Sequence, residues 1–110
     1  MEHIIYIISA LNHFYYSAHW RSRGALFFQT HKLFAELYSG LTDQIDDLVE
    51  LLIGTGMDDS FAEPQHLADE VRKHIPKGST SNGANLTAAV ALEETLISAI
   101  KAVKQDEVSV

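Results

Sequence analysis

Four residues of this chain have types and spacings that suit joint chemistry: His19, His31, Asp46 and Glu50. A neutral imidazole is a good ligand for iron or zinc. Asp46 and Glu50 stand four positions apart, which puts both carboxylates on one face of a helix. The chain has no cysteine, so disulfides, thiolate sites and a Cys nucleophile are excluded. Any metal chemistry must use imidazole, carboxylate and water. With six histidines and fifteen acids in 110 residues, chance pairs are common. The plainer reading is that each histidine is a packing residue hydrogen-bonded nearby, and that the acids form a solvated face with Asp43 and Asp47.

The elements that position these residues follow from apolar periodicity. Ile4, Ile8, Leu11, Tyr15 and Ala18 recur at steps of four and three, with Ile5, Asn12 and His19 on the adjoining row, so a first helix carries His19 toward packing. Its apolar start is too short to span a bilayer and lacks the parts of a signal peptide, so it reads as a buried helix of a mature cytosolic protein. Ser22-Arg23-Gly24 interrupts the pattern. From about Leu26 to Ile53, a second helix shows a continuous stripe of Phe27, His31, Phe34, Tyr38, Leu41, Ile45, Leu48 and Leu52. The short connection makes an antiparallel hairpin that brings His19 and His31 to one end. Gly54-Thr55-Gly56 ends the second helix. Ser60 and Glu63 read as a capping box ahead of a short helix through Lys73, with Pro64 in its first turn. A loop at 76–83 precedes a third long helix over Leu86–Val103.

The four residues cannot serve one metal within one chain. His31 and Asp46 are fifteen positions apart on one helix, about 22 Å at 1.5 Å per residue, whereas metal–ligand bonds are about 2 Å. If two copies pack their second helices antiparallel about a two-fold axis, the histidine end of one meets the carboxylate end of the other and both sites form together. The axis would pass near Tyr38 to Leu41, where Ser39 and Gly40 allow close approach. An isologous two-fold interface is the commonest oligomer type.

The stretch Ser17-Ala18-His19-Trp20, then Gly24, Phe28, His31, Leu33-Phe34, Glu36-Leu37-Tyr38 and Asp46 to Glu50 resembles the ferroxidase signature of the Dps-type mini-ferritins, the DNA-protection-during-starvation family. The resemblance covers the first half of the chain. It implies an all-α, ferritin-like antiparallel helix bundle as a single domain over residues 1–110. It also implies an iron site between subunits, with His19 and His31 from one and Asp46 and Glu50 from its two-fold partner. Trp20 matches a tryptophan that lies beside that centre and takes up oxidising equivalents. The implied activity is oxidation of Fe(II) by hydrogen peroxide or dioxygen, with the ferric product stored in a hollow twelve-subunit shell, in the cytoplasm, as protection against oxidative stress.

The chain departs from the family in three ways. A four-helix bundle needs a fourth long helix, and after Lys104 only Gln105 to Val110 stand in its place, so an apolar flank is left for a further segment or another chain to cover. Ala25 replaces the usual proline after Gly24. There is no lysine-rich N-terminal arm, and a formal net charge of -7 argues against direct DNA binding from this chain. A second motif, Glu63-Pro64-Gln65-His66, fits the Glu-x-x-His pattern of other di-iron proteins. It lacks a second copy and carries Pro64, so Glu63 is assigned to capping. His3, His13, His66 and His74 read as surface or packing residues. The alternatives to a ferroxidase are a non-enzymatic ferritin-like structural or interaction module in a larger assembly, and a structural zinc site.

Overall fold

Helix α1 (Glu2–Arg21) is the element on which the others pack. Its first turns bury Ile4, Ile5, Tyr6, Ile7 and Ile8 in succession, and five consecutive buried positions mean that the helix is covered on every side rather than along one stripe. The computed structural model describes residues 2–23, 26–56 and 58–109, with side chains as far as Val103. Gly24 and Ala25, expected at the break between the first two helices, lie outside the described residues.

Three further helices contact α1: α2 (Phe27–Gly54), α3 (Pro64–Arg72) and α4 (Asn82–Ser109). A 3₁₀ turn over Asp59–Ala62 precedes α3 and puts Phe61 in the core. The fold is all-α. Its β features among the described residues amount to an isolated bridge between Arg23 and Ser81. Among those residues no helix is long and apolar enough to cross a membrane.

The expected stripe of α2 faces α1. Phe34 is fully buried, Leu52 is buried, and Tyr38, Leu41 and Leu48 pack against the same cluster as Ile5, Leu11, Phe14 and Tyr15. The chain runs antiparallel through this pair, since partners rise along α2 as they fall along α1: His19 with His31, Tyr16 with Tyr38, Asn12 with Thr42.

Two boundaries differ from the sequence reading. Helix α4 begins at Asn82, four residues before the expected Leu86, and its helical backbone runs on to Ser109. Helix α3 is capped by Glu63 itself, whose carboxylate accepts from the Gln65 and His66 amides. Pro64 decides this: lacking an N–H and fixed in φ, it belongs at the first helical position, so the residue before it is the cap.

The outer faces of α2 and α4 are left uncovered. Of the 28 residues of α2, only Thr30, Phe34 and Leu52 are buried, while Phe28, Leu33, Leu51 and Ile53 are exposed. On α4, Leu86, Val90, Ile97 and Ile100 are exposed. The apolar flank expected of three long helices is therefore present.

Candidate metal centre

The end of α1 and the start of α2 meet through the two histidines. The His19 ring lies on the His31 ring with centroids 3.8 Å apart and planes 22° from parallel. The contact is reciprocal at the backbone: His19 Nδ1 donates to the His31 carbonyl at 2.9 Å, and His31 Nδ1 donates to the His19 carbonyl at 2.7 Å. A carbonyl oxygen carries no proton, so each Nδ1 must supply it. In the neutral rings this fixes the tautomer and leaves a lone pair on each Nε2, and neither Nε2 has a partner among the described residues. A ring oriented through one nitrogen with the other open is the arrangement that metal-ligating histidines adopt. The Phe27 ring at 5.3 Å from His31 and the Tyr38 ring edge-on at 5.4 Å from His19 hold the pair from either side.

The ring geometry also limits how the pair can bind. Planes in van der Waals contact and tilted by only 22° converge well beyond a metal–nitrogen bond of about 2 Å. One ion cannot lie in both ring planes, so this geometry has room for two ions or for one ion and a bridging water, but not for one ion held directly by both rings.

The connection into α2 is held from two directions. Leu26, the residue before α2, has the left-handed φ of 63°, a conformation that costs a non-glycine residue about 1–2 kcal/mol. Its carbonyl accepts from both the amide and the hydroxyl of Thr30. Behind the end of α1, Asn85 of α4 is 1% exposed. Its amide donates to the Ser22 hydroxyl and the Ser79 carbonyl, both at 2.9 Å, and accepts from the Ser79 amide at 3.1 Å. Arg23 adds a backbone bond to the Thr80 carbonyl. This polar latch ties the segment that follows His19 to the start of α4.

The carboxylates lie at the other end. Asp46, Asp47 and Glu50 offer oxygens within 4.8 Å of one another, and all three are exposed. Because α2 is one continuous helix, the fifteen-residue separation from His31 holds, and the imidazoles and the carboxylates do not meet within the chain. Exposed carboxylates are solvated, so burial gives them no need of a partner or an ion. Asp47, assigned from the sequence to the solvated face, is exposed as that assignment expects and lies in the same group, three positions from Glu50.

Trp20 is 64% exposed. Among the described residues its ring contacts Tyr16, at 5.5 Å between centroids, rather than either imidazole. Glu63 serves as the α3 cap, and its carboxyl is held below the ordinary range by the His66 and Gln65 amides. His66 lies edge-on to Tyr6, whose hydroxyl is 3.3 Å from its Nε2. A cavity of about 430 Å³ between α1 and α3, lined by Ser9, His13, Leu67 and Val71 among others, brings a single imidazole and no carboxylate. Searches of protein-family models, curated proteins and solved structures return no match to this chain.

Proposed function

We propose that the chain is a ferritin-like ferroxidase subunit of the Dps type. Two copies pack their α2 helices antiparallel about a two-fold axis, so that His19 and His31 of one copy face Asp46 and Glu50 of the other. Fe(II) is the substrate. Hydrogen peroxide or dioxygen accepts its electrons, and the ferric product is stored inside a twelve-subunit shell. The observation that carries this reading is the reciprocal locking of the two imidazoles by each other's backbone carbonyls, which leaves both Nε2 atoms open. A packing histidine has no need of an open Nε2, whereas a ligand does.

Each group has a part. The imidazoles supply neutral nitrogen ligands, and the carboxylates supply the negative charge that draws a divalent cation and stabilises the ferric product. Positions left vacant by so few protein ligands admit the oxidant. Gly40, at the expected axis, is exposed and a Cβ placed there meets nothing within 4 Å, which leaves room for a second helix. The test is to mix the protein with Fe(II) and peroxide. Rapid oxidation is expected, and a His31→Ala, Asp46→Ala double variant that oxidises iron as fast would end the proposal.

A second reading rests on the exposed Leu86, Val90, Ile97 and Ile100 of α4, which suit a non-enzymatic module within a larger assembly. Light scattering separates the two: a closed dodecamer counts against the module, and a dimer or mixed complex counts against storage. Metal analysis of protein purified without added metal distinguishes iron from a structural zinc.

A further inference from the structure

The two imidazoles do not end in an inert core. Beyond the His19–His31 stack, the Tyr38 ring stands 5.4 Å from His19 and is itself stacked on Tyr16, with centroids 3.8 Å apart and planes 18° from parallel. Tyr16 in turn contacts Trp20 at 5.5 Å. The five rings form an unbroken series from the candidate metal ligands to a side chain that is 64% exposed. Tyr16 and Tyr38 are half-buried, and neither hydroxyl has a hydrogen-bond partner among the described residues. Tyr15 differs, since it is buried and its hydroxyl is given to Glu93. Tyrosine and tryptophan are the side chains most readily oxidised by one electron without sulfur chemistry, and electron transfer weakens steeply with each gap between rings. A face-to-face tyrosine pair is also an uncommon arrangement, because the ring quadrupoles favour offset or edge-on contact.

We propose that the stacked Tyr16–Tyr38 pair is an electron relay joining the His19–His31 pair to the surface at Trp20. The source of oxidising equivalents rests on the ferroxidase reading; the ring path does not. Reduction of hydrogen peroxide to two waters takes two electrons, and where a single Fe(II) is bound it supplies only one. Tyr38 supplies the second electron and its phenolic proton, and a further proton comes from solvent, so that Fe(II), peroxide, tyrosine and a proton give Fe(III), a tyrosyl radical and two waters. Tyr16 then passes an electron and proton to Tyr38, and Trp20 does the same for Tyr16. The rings exchange the equivalent in both directions, and it leaves the series at the exposed indole, where a thiol in solution returns a hydrogen atom. The damaging equivalent is thereby carried out of the bundle instead of being released beside it.

The path is tested first on metal-free protein. Flash oxidation by a photoexcited ruthenium tris-bipyridyl complex with persulfate takes an electron from the exposed Trp20. In the wild type the indole radical is expected to decay into a tyrosyl signal. In Tyr16→Phe, which keeps the ring but removes the exchangeable hydroxyl, the indole radical is expected to live several-fold longer. Equal lifetimes overturn the proposal, and circular dichroism establishes that the variant is folded. In a second arm the protein is treated with Fe(II) and peroxide and Trp20 oxidation is read by peptide mass. Tyr38→Phe is expected to reduce it several-fold, and unchanged Trp20 oxidation in that variant overturns the relay. A working photochemical path in protein that neither binds nor oxidises iron upholds the relay and overturns the ferroxidase reading.

Discussion

Replacing Asn85 by alanine removes the latch behind the end of α1. Asn85 makes three hydrogen bonds from a site that is 1% exposed, two of them donated to the Ser22 hydroxyl and the Ser79 carbonyl and one accepted from the Ser79 amide. At about 1 kcal/mol net for each, the loss is about 3 kcal/mol. The Ser22 side chain is itself fully buried, so the hydroxyl left behind finds no water in exchange, which raises the cost. Against a total stability of about 5–15 kcal/mol for a domain of this size, that is a large fraction. Urea unfolding measures it as a fall in the midpoint at unchanged slope. Asn85→Asp should be at least as damaging, because it sets a carboxylate oxygen against the Ser79 carbonyl where the amide had donated. A loss below about 1 kcal/mol in Asn85→Ala would show that the three bonds do not hold the α1 end in place.

Three more outcomes follow from the packing. Phe34→Ala empties a fully buried ring site beside Tyr15 and should cost about 3–5 kcal/mol in denaturant unfolding; a cost near that of a surface change would place Phe34 outside the core. The Tyr15 phenol is pushed well above its ordinary value of 10 by burial and then by the neighbouring Glu93 carboxylate. Its contribution to stability is therefore complete below pH 10 and is lost as pH rises beyond it, and Tyr15→Phe should remove that part of the alkaline decline in thermal midpoint. Gly40→Ala meets open space in the single chain and should raise the stability of the dissociated chain by up to about 1 kcal/mol through helix propensity. The same methyl should weaken the two-fold dimer in sedimentation, and a dimer of unchanged affinity would move the axis away from Gly40.

The parts of this fold that could be read from sequence are those fixed by periodicity. The α2 stripe from Phe27 to Leu52 and the His19–His31 juxtaposition follow from helical spacing and a short connection. What could not be read depends on contacts between distant positions or on backbone angles. Nothing local marks Asn85 as the partner of Ser22, 63 positions away, and Leu26 is an unusual residue for a left-handed φ. The tautomer of each histidine is set by the other's carbonyl, which no pattern of side chains encodes. One detail was available and misplaced: Pro64 fixes Glu63, rather than Ser60, as the residue that caps α3.

The proposed site is shared between two copies, with the imidazoles from one and the carboxylates from the other. Its most direct measurement is subunit complementation. A His19→Ala, His31→Ala chain and an Asp46→Ala, Glu50→Ala chain are each made, dissociated, mixed in equal amounts and reassembled, and Fe(II) oxidation by peroxide is followed. Each variant alone should be inactive. In the mixture half of the dimers are mixed and each mixed dimer holds one complete site, so about one quarter of the wild-type rate should return. A mixture as inactive as its components, in dimers shown to have exchanged subunits, would contradict the shared site.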